Sequence, residues 1–133
     1  MTSTIEHLNL TVSDPDRTAR MLSDIFGWAT RWDGWSQLGG RSVHVGEPEV
    51  GATYLAIYGP QEPSVSTEDS YSTIGGLNHV GVTVDDLAFV QQRVLDAGFE
   101  TYSFGDYEPG QRFYFRDNDG IEFEVVSYAT DAD

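Results

Sequence analysis

The 133-residue chain contains one unit used twice, and that repeat limits its possible folds more than any other feature. Ile5–Val12 (IEHLNLTV) and Leu77–Val84 (LNHVGVTV) both alternate as half-buried strands do. His7 and His79 hold the same place in the two copies, each with a threonine four residues on, Thr11 and Thr83. A helix start follows each strand. Asp14-Pro15 offers a cap and a proline suited to the first helical position, and Asp85-Asp86 caps the second helix. Ala19, Leu22 and Phe26 predict the apolar face of the first helix; Leu87, Val90 and Val94, with Leu95 beside them, predict that of the second. Gly27 and Gly98 stop the two helices. Strands are expected near residues 29–33, 41–45 and 52–58, then 100–104, 112–116 and 121–128. Both halves therefore read β-α-β-β-β. The expected class is α+β, with two βαβββ modules pairing into a curved mixed sheet that lines a cleft. The first module takes residues 1–58, a Pro-, Ser- and Asp-bearing linker 59–73, the second module 74–128 and a short tail 129–133.

Charge and composition remove several classes of function. The net charge is −15, and the seven basic residues are all arginine. A phosphate backbone is repelled by such a surface, so nucleic acid is not an expected partner. No apolar run approaches the roughly 20 residues of a membrane span, and MTSTIEHLNL lacks the pattern of a signal peptide, so a cytoplasmic protein is expected. There is no cysteine, which excludes disulfides, thiolate zinc, iron–sulfur clusters and a cysteine nucleophile.

The last hairpin raises a specific question. Asp117-Asn118-Asp119-Gly120 is a turn, and the strand after it alternates Ile121, Phe123 and Val125 on one face with Glu122, Glu124 and Val126 on the other. A carboxylate inside an apolar strand is costly unless it is paired or bound to a metal. Glu124 needs a partner, whereas Glu122, one pleat nearer the turn, is expected to matter little. His7, His79 and Glu124 all lie on strand faces opposite the aliphatic ones. Two imidazoles and one carboxylate suit a divalent ion such as Fe, Mn, Ni, Co or Zn.

HLNLTVSD at His7–Asp14, HVGVTVDD at His79–Asp86 and FRDNDGIEFE at Phe115–Glu124 together resemble the vicinal oxygen chelate superfamily. That group includes glyoxalase I, extradiol dioxygenases and the bleomycin- and fosfomycin-resistance proteins. The resemblance spans about Ile5 to Tyr128, with Asn118 where the family's last motif has proline. It implies paired modules closing a cup around a metal held by His7, His79 and Glu124. It also implies a homodimer, in which His7 of one copy meets His79 and Glu124 of the other, and a small-molecule substrate with vicinal oxygens. The reaction expected is of the lyase, isomerase or ring-cleavage type. The alternative is a metal-free binding protein of the drug-sequestering kind.

Departures from the family patterns narrow these expectations. Laying Tyr54–Tyr58 over Glu124–Tyr128 sets Tyr54 at the fourth-ligand place of glyoxalase I, and the other placement sets Ala56 there; neither is a carboxylate. Fosfomycin-resistance relatives use basic residues beyond the glutamate, and this chain has SYATDAD there. Tyr54 is the candidate catalytic residue. His44, Tyr58, Arg112 and Tyr114 are candidates for substrate binding. Trp28, Trp32, Trp35 and Phe113 are candidates for an apolar wall, and Arg31, Arg41 and Arg112 for holding a substrate carboxylate.

Overall fold

The computed structural model describes residues 2–37, 39–49, 52–107 and 110–128; the tail assigned to 129–133 lies outside them. Element order is β1 (His7–Thr11), α1 (Pro15–Phe26), β2 (Ala29–Trp35), β3 (Arg41–Gly46), β4 (Tyr54–Gly59), then β5 (Val80–Thr83), α2 (Leu87–Asp96), β6 (Thr101–Tyr107), β7 (Gly110–Arg116) and β8 (Glu122–Ser127). The βαβββ unit is thus present twice. The strands form two four-stranded mixed sheets of the same topology, β1-β4-β3-β2 and β5-β8-β7-β6. The chain divides into two compact units, Met1–Val65 and Ser66–Asp133, with the division inside the Pro- and Ser-bearing segment. No helix among the described residues is long and apolar enough to cross a membrane.

The helix boundaries follow their local chemistry. Asp14 accepts from the Arg17 N–H at 3.2 Å, and Pro15 stands at the first helical position. Gly27 ends α1 at φ 75°, a left-handed conformation that glycine adopts without a Cβ penalty. Asp86 accepts from the Phe89 N–H at 3.0 Å, and Gly98 follows α2 at φ 94°. One detail of the α1 face differs from expectation. Leu22 and Ile25 are buried, while Phe26 turns aside to stack on Trp28 at 4.9 Å. Thr18, Met21, Leu22 and Ile25 fall on one stripe of a 3.6-residue helix, and Phe26 lies at its margin.

In the first unit Val43, Val45, Leu55 and Ile57 are buried on strands that contact α1, and Leu10 is buried on β1; in the second Val82, Phe113, Phe115, Phe123 and Val125 are buried, with Phe115 stacked on Phe123 at 5.1 Å. Phe113 is fully buried and so packs the core instead of lining a site. β5 is shorter than the expected 77–84 strand, and His79 stands immediately before it.

Strand registers correct the sequence alignment of the repeat. Asn9 pairs with Ala56 in the first unit, and Gly81 pairs with Glu124 in the second. His44 lies opposite Ala56 as Tyr114 lies opposite Glu124. Ala56 is therefore the counterpart of Glu124, and Tyr54 the counterpart of Glu122. Laying Tyr54 over Glu124 was two residues out, because alternation fixes the face of a strand but not its register.

The turn before β8 is held by Asp117, a buried residue whose Oδ1 accepts from the Asp119 and Ile121 N–H groups, both at 2.9 Å. Gly120 takes φ 79° and donates to the Asp117 carbonyl at 3.0 Å. Asp117→Ala strands two amides and is expected to lower stability by about 2 kcal/mol, read as a shift in the urea midpoint; an unchanged midpoint would show that the turn holds itself.

Candidate metal centre

The second unit brings together four of the residues singled out above: His79, Glu124, Arg112 and Tyr114. Glu124 has found its partners. Its Oε2 accepts from Arg112 Nη1 at 2.7 Å, and its Oε1 lies 3.1 Å from His79 Nε2. Arg112 and Glu124 are both largely buried, with side chains 13% and 14% exposed, so the pair sits where screening by water is weak. Arg112 directs Nη1 to Glu124. Tyr114, opposite Glu124 on β7, sets its ring edge-on to His79 at 5.7 Å.

The other nitrogen of His79 is also held. Its Nδ1 lies 3.1 Å from the Tyr71 hydroxyl, which donates its single hydrogen to Glu122 Oε1 at 2.5 Å. The hydroxyl oxygen therefore accepts from His79 Nδ1–H. A neutral ring with its hydrogen on Nδ1 turns the Nε2 lone pair towards Glu124. Two electron-rich atoms at 3.1 Å need a cation between them. A proton on Nε2 is one solution; a metal ion is the other. The donor chemistry fits an ion: an imidazole nitrogen and a carboxylate oxygen would both serve Fe, Mn, Ni, Co or Zn as ligands. Among the described residues no three His, Asp or Glu side chains gather into a group that would hold a metal.

Glu122 is held by donors of its own. It is 6% exposed, and Tyr102 donates to its Oε2 at 2.5 Å while Tyr71 donates to Oε1. Arg116 Nη2 adds a contact at 3.5 Å. Burial alone would raise its proton affinity, but the Tyr102 and Tyr71 hydrogen bonds, with Arg116 and His79 near, outweigh burial and hold the carboxyl below its usual range. The hydrogen bond to Glu122 leads in pushing the Tyr71 hydroxyl up to about 12; for Tyr102, also pushed to about 12, burial leads. Both tyrosines thus stay donors at neutral pH. Tyr71 comes from the linker, at a turn where Asp69 Oδ1 accepts from its N–H at 3.0 Å. The only sequence signal for it is that Tyr71 is the sole aromatic between residues 59 and 73.

The first unit carries the remaining candidates. His7 bonds Glu6 through Nδ1 at 2.9 Å and stacks on Tyr54 at 4.9 Å; Tyr54 stacks in turn on His44 at 4.7 Å. Burial, and then the Glu6 carboxylate, push the Tyr54 hydroxyl up, which keeps it protonated, a hydrogen-bond donor, at neutral pH. Tyr58 is tied to the glycine-rich loop by a 2.6 Å bond to the Gly39 carbonyl. Arg41 is held on the surface by Asp16 at 3.0 Å and Asp33 at 3.4 Å. Trp35 is 78% exposed.

Fold and motifs together define the class. Residues 4–125 match the Glyoxalase/Bleomycin resistance protein/Dioxygenase superfamily, and the chain belongs to it. No curated protein matches the chain. Among solved structures, a glyoxylase/bleomycin resistance protein/dioxygenase domain from Frankia sp. EAN1pec is 23% identical, with a TM-score of 0.79 over 96% of this chain and 98% of its own. FosX, the genomically encoded fosfomycin resistance protein of Listeria monocytogenes, solved with Mn(II) and sulfate, is 19% identical with a TM-score of 0.71 over 96% and 93%. TioX from Micromonospora sp. ML1 is 21% identical with a TM-score of 0.66 over 95% and 99%. At these identities the likeness is one of fold.

The lowered Glu122 carboxyl has a measurable consequence. A carboxyl that titrates lower folded than unfolded stabilises the fold above its unfolded pKa, and that contribution is lost as pH falls through the folded value. Thermal midpoints of the wild type and Glu122→Gln should differ near pH 7 and converge as pH falls below the usual carboxylate value of about 4.3. A gap that stays constant across the range would argue that the carboxylate charge plays no part.

Proposed function

We propose that the protein is a divalent-metal-dependent enzyme acting on a small molecule with two neighbouring oxygens, with His7, His79 and Glu124 as metal ligands. The observation that carries this reading is the 3.1 Å approach of His79 Nε2 to Glu124 Oε1, on a ring whose other nitrogen is tied to Tyr71. A histidine ligand is commonly oriented in this way by a hydrogen bond to its second nitrogen. His7 is taken as the third ligand because it holds the place in its module that His79 holds in the second. Two imidazoles and a carboxylate leave open positions on Fe, Mn, Ni, Co or Zn. A relative of the same fold was solved with Mn(II). We place the protein in the cytoplasm as a homodimer, His7 of one copy completing the pair of the other.

When bound, the ion supplies Lewis-acid chemistry, polarising the oxygens that it chelates. The chain's own residues do the positioning. Tyr71 and Glu122 hold the His79 ring, Arg112 fixes the second oxygen of Glu124, and Tyr114 closes one side of His79. The reaction fits the lyase, isomerase or ring-cleavage types of the superfamily, with Tyr54, Tyr58 and His44 as candidates for substrate contact.

A metal-free binding protein is the second reading, and two findings favour it. Arg112 already neutralises Glu124 at 2.7 Å, and Ala56 stands where a fourth carboxylate would be. Elemental analysis separates the two readings, on protein purified anaerobically without a metal-affinity tag. We expect about one ion per site. His7→Ala, His79→Ala and Glu124→Ala should each remove most of the affinity, and Tyr71→Phe should lower it roughly 10–100-fold. Light scattering should give twice the 14.7 kDa of one chain. Protein that retains no metal, and takes up none of Mn, Fe or Zn in titration, would leave the binding-protein reading.

A further inference from the structure

The first unit presents His7 beside Tyr54 and His44, and the substrate class inferred from that face rests on the proposed function. The sheet of this unit carries a row of four rings, one from each strand in spatial order: His7 on β1, Tyr54 on β4, His44 on β3 and Trp32 on β2. Ring centroids are 4.9 Å apart from His7 to Tyr54, 4.7 Å to His44 and 4.9 Å to Trp32. The opposite face of this sheet is aliphatic and buried, with Val43, Val45, Leu55 and Ile57 all at 5% exposure or less. The ring face is open: Trp32 is 50% exposed, although a tryptophan gains most when its surface is covered.

The row is built, not incidental. The Trp32 indole reaches over Gly34 of its own strand, where an added Cβ would come within 2.9 Å of it. The β2–β3 register slips between Thr30 and Trp32, so Arg31 is the extra residue of a bulge. In a regular strand Arg31 and Trp32 would face opposite ways; a bulge re-aims a side chain, and both line one cavity. The Arg31 guanidinium sits 5.2 Å from the Tyr54 ring centroid and is anchored by a 2.6 Å bond to the Ala52 carbonyl. Together with Arg31, Trp32, His44 and Tyr54, Pro48 lines this cavity of about 440 Å³, the size of a small-molecule site. Burial keeps the His44 ring in its neutral form more firmly than usual, with the charges of His7 and Arg31 adding to the effect. The cavity thus offers neutral aromatic surface and one fixed cation, on a protein whose net charge is −15.

The geometry points to a binding site for a planar aromatic carboxylate, its ring laid on the exposed indole of Trp32 and its carboxylate on Arg31. The half-exposed indole of Trp32 favours a flat ligand, since offset stacking needs parallel surfaces. A guanidinium pairs with a carboxylate through two parallel hydrogen bonds and also stacks on aromatic faces. Elsewhere the acidic surface repels anions, so the site selects an anion only where Arg31 stands.

The test uses three probes on the full chain: 2-naphthoate, the neutral 2-naphthalenemethanol, and the non-planar cyclohexanecarboxylate. Titration calorimetry is run on protein stripped with chelator, so a failed metal analysis and a failed titration are separate results. 2-Naphthoate should bind at least about tenfold tighter than either of the others. Arg31→Met should remove that advantage over the alcohol, by about tenfold, while leaving the alcohol unaffected. The alcohol thereby also reports that the variant is folded. Trp32→Ala should weaken both naphthalene probes. The inference is overturned if 2-naphthoate does not bind at millimolar concentration, or if cyclohexanecarboxylate binds as well as it does. It is also overturned if Arg31→Met weakens both naphthalene probes equally, or if Trp32→Ala changes neither.

Discussion

Each module is closed by one long-range contact, the parallel pairing of its first strand with its last. β1 lies beside β4 and β5 beside β8, with a helix and two strands between them in sequence. Parallel neighbours need a crossover of this kind, and the helix that makes it covers one sheet face. The pairing sets the last strand at an interior position of the sheet in both modules. Residues on that strand are therefore drawn out of water on both faces. Glu122, Phe123, Val125, Val126 and Ser127 are all buried. The chemistry of the second unit arises from the fact that two of the six residues on β8 are glutamates.

Three buried or half-buried carboxylates on one hairpin are an electrostatic problem in a chain this acidic, and each is solved differently. Asp117 accepts backbone N–H groups of its own turn. Glu122 accepts two phenolic hydrogens and lies near Arg116. Glu124 takes Arg112 on one oxygen and His79 on the other. Hydrogen bonding favours the charged form and burial disfavours it, and at Glu122 the donors prevail. The same bonds order their surroundings. Tyr71 belongs to a segment with no helix or strand, yet its hydroxyl fixes both Glu122 and the orientation of His79.

The two modules share a topology but divide their chemistry. At the position of Glu124 the first module has Ala56, and at that of Tyr114 it has His44. The first sheet has a methyl group in place of that carboxylate, and a row of four neighbouring rings crosses it. The second sheet keeps charge at its centre and surrounds it with tyrosines. Duplication supplied the scaffold twice, and substitution at a few facing positions made one half ionic and the other aromatic.

The sequence by itself determined what is local. The repeat, the caps at Asp14 and Asp86, the stop glycines Gly27 and Gly98 and the turn at Asp117–Gly120 were legible, because each depends on backbone preferences within a few residues. Alternation also predicted the aliphatic faces of β1, β5 and β8. Tertiary structure decided the rest. The register that matches Ala56 to Glu124 depends on which strand lies alongside, and a period of two residues is blind to a shift of two. Arg112 as the partner of Glu124 follows from β7 lying next to β8, and Tyr71 at His79 follows from the path of a loop that carries no periodic signal. Glu122 and Glu124 look alike in sequence. Only the packing of Tyr71 and Tyr102 on one, and of Arg112 and His79 on the other, gives them different tasks.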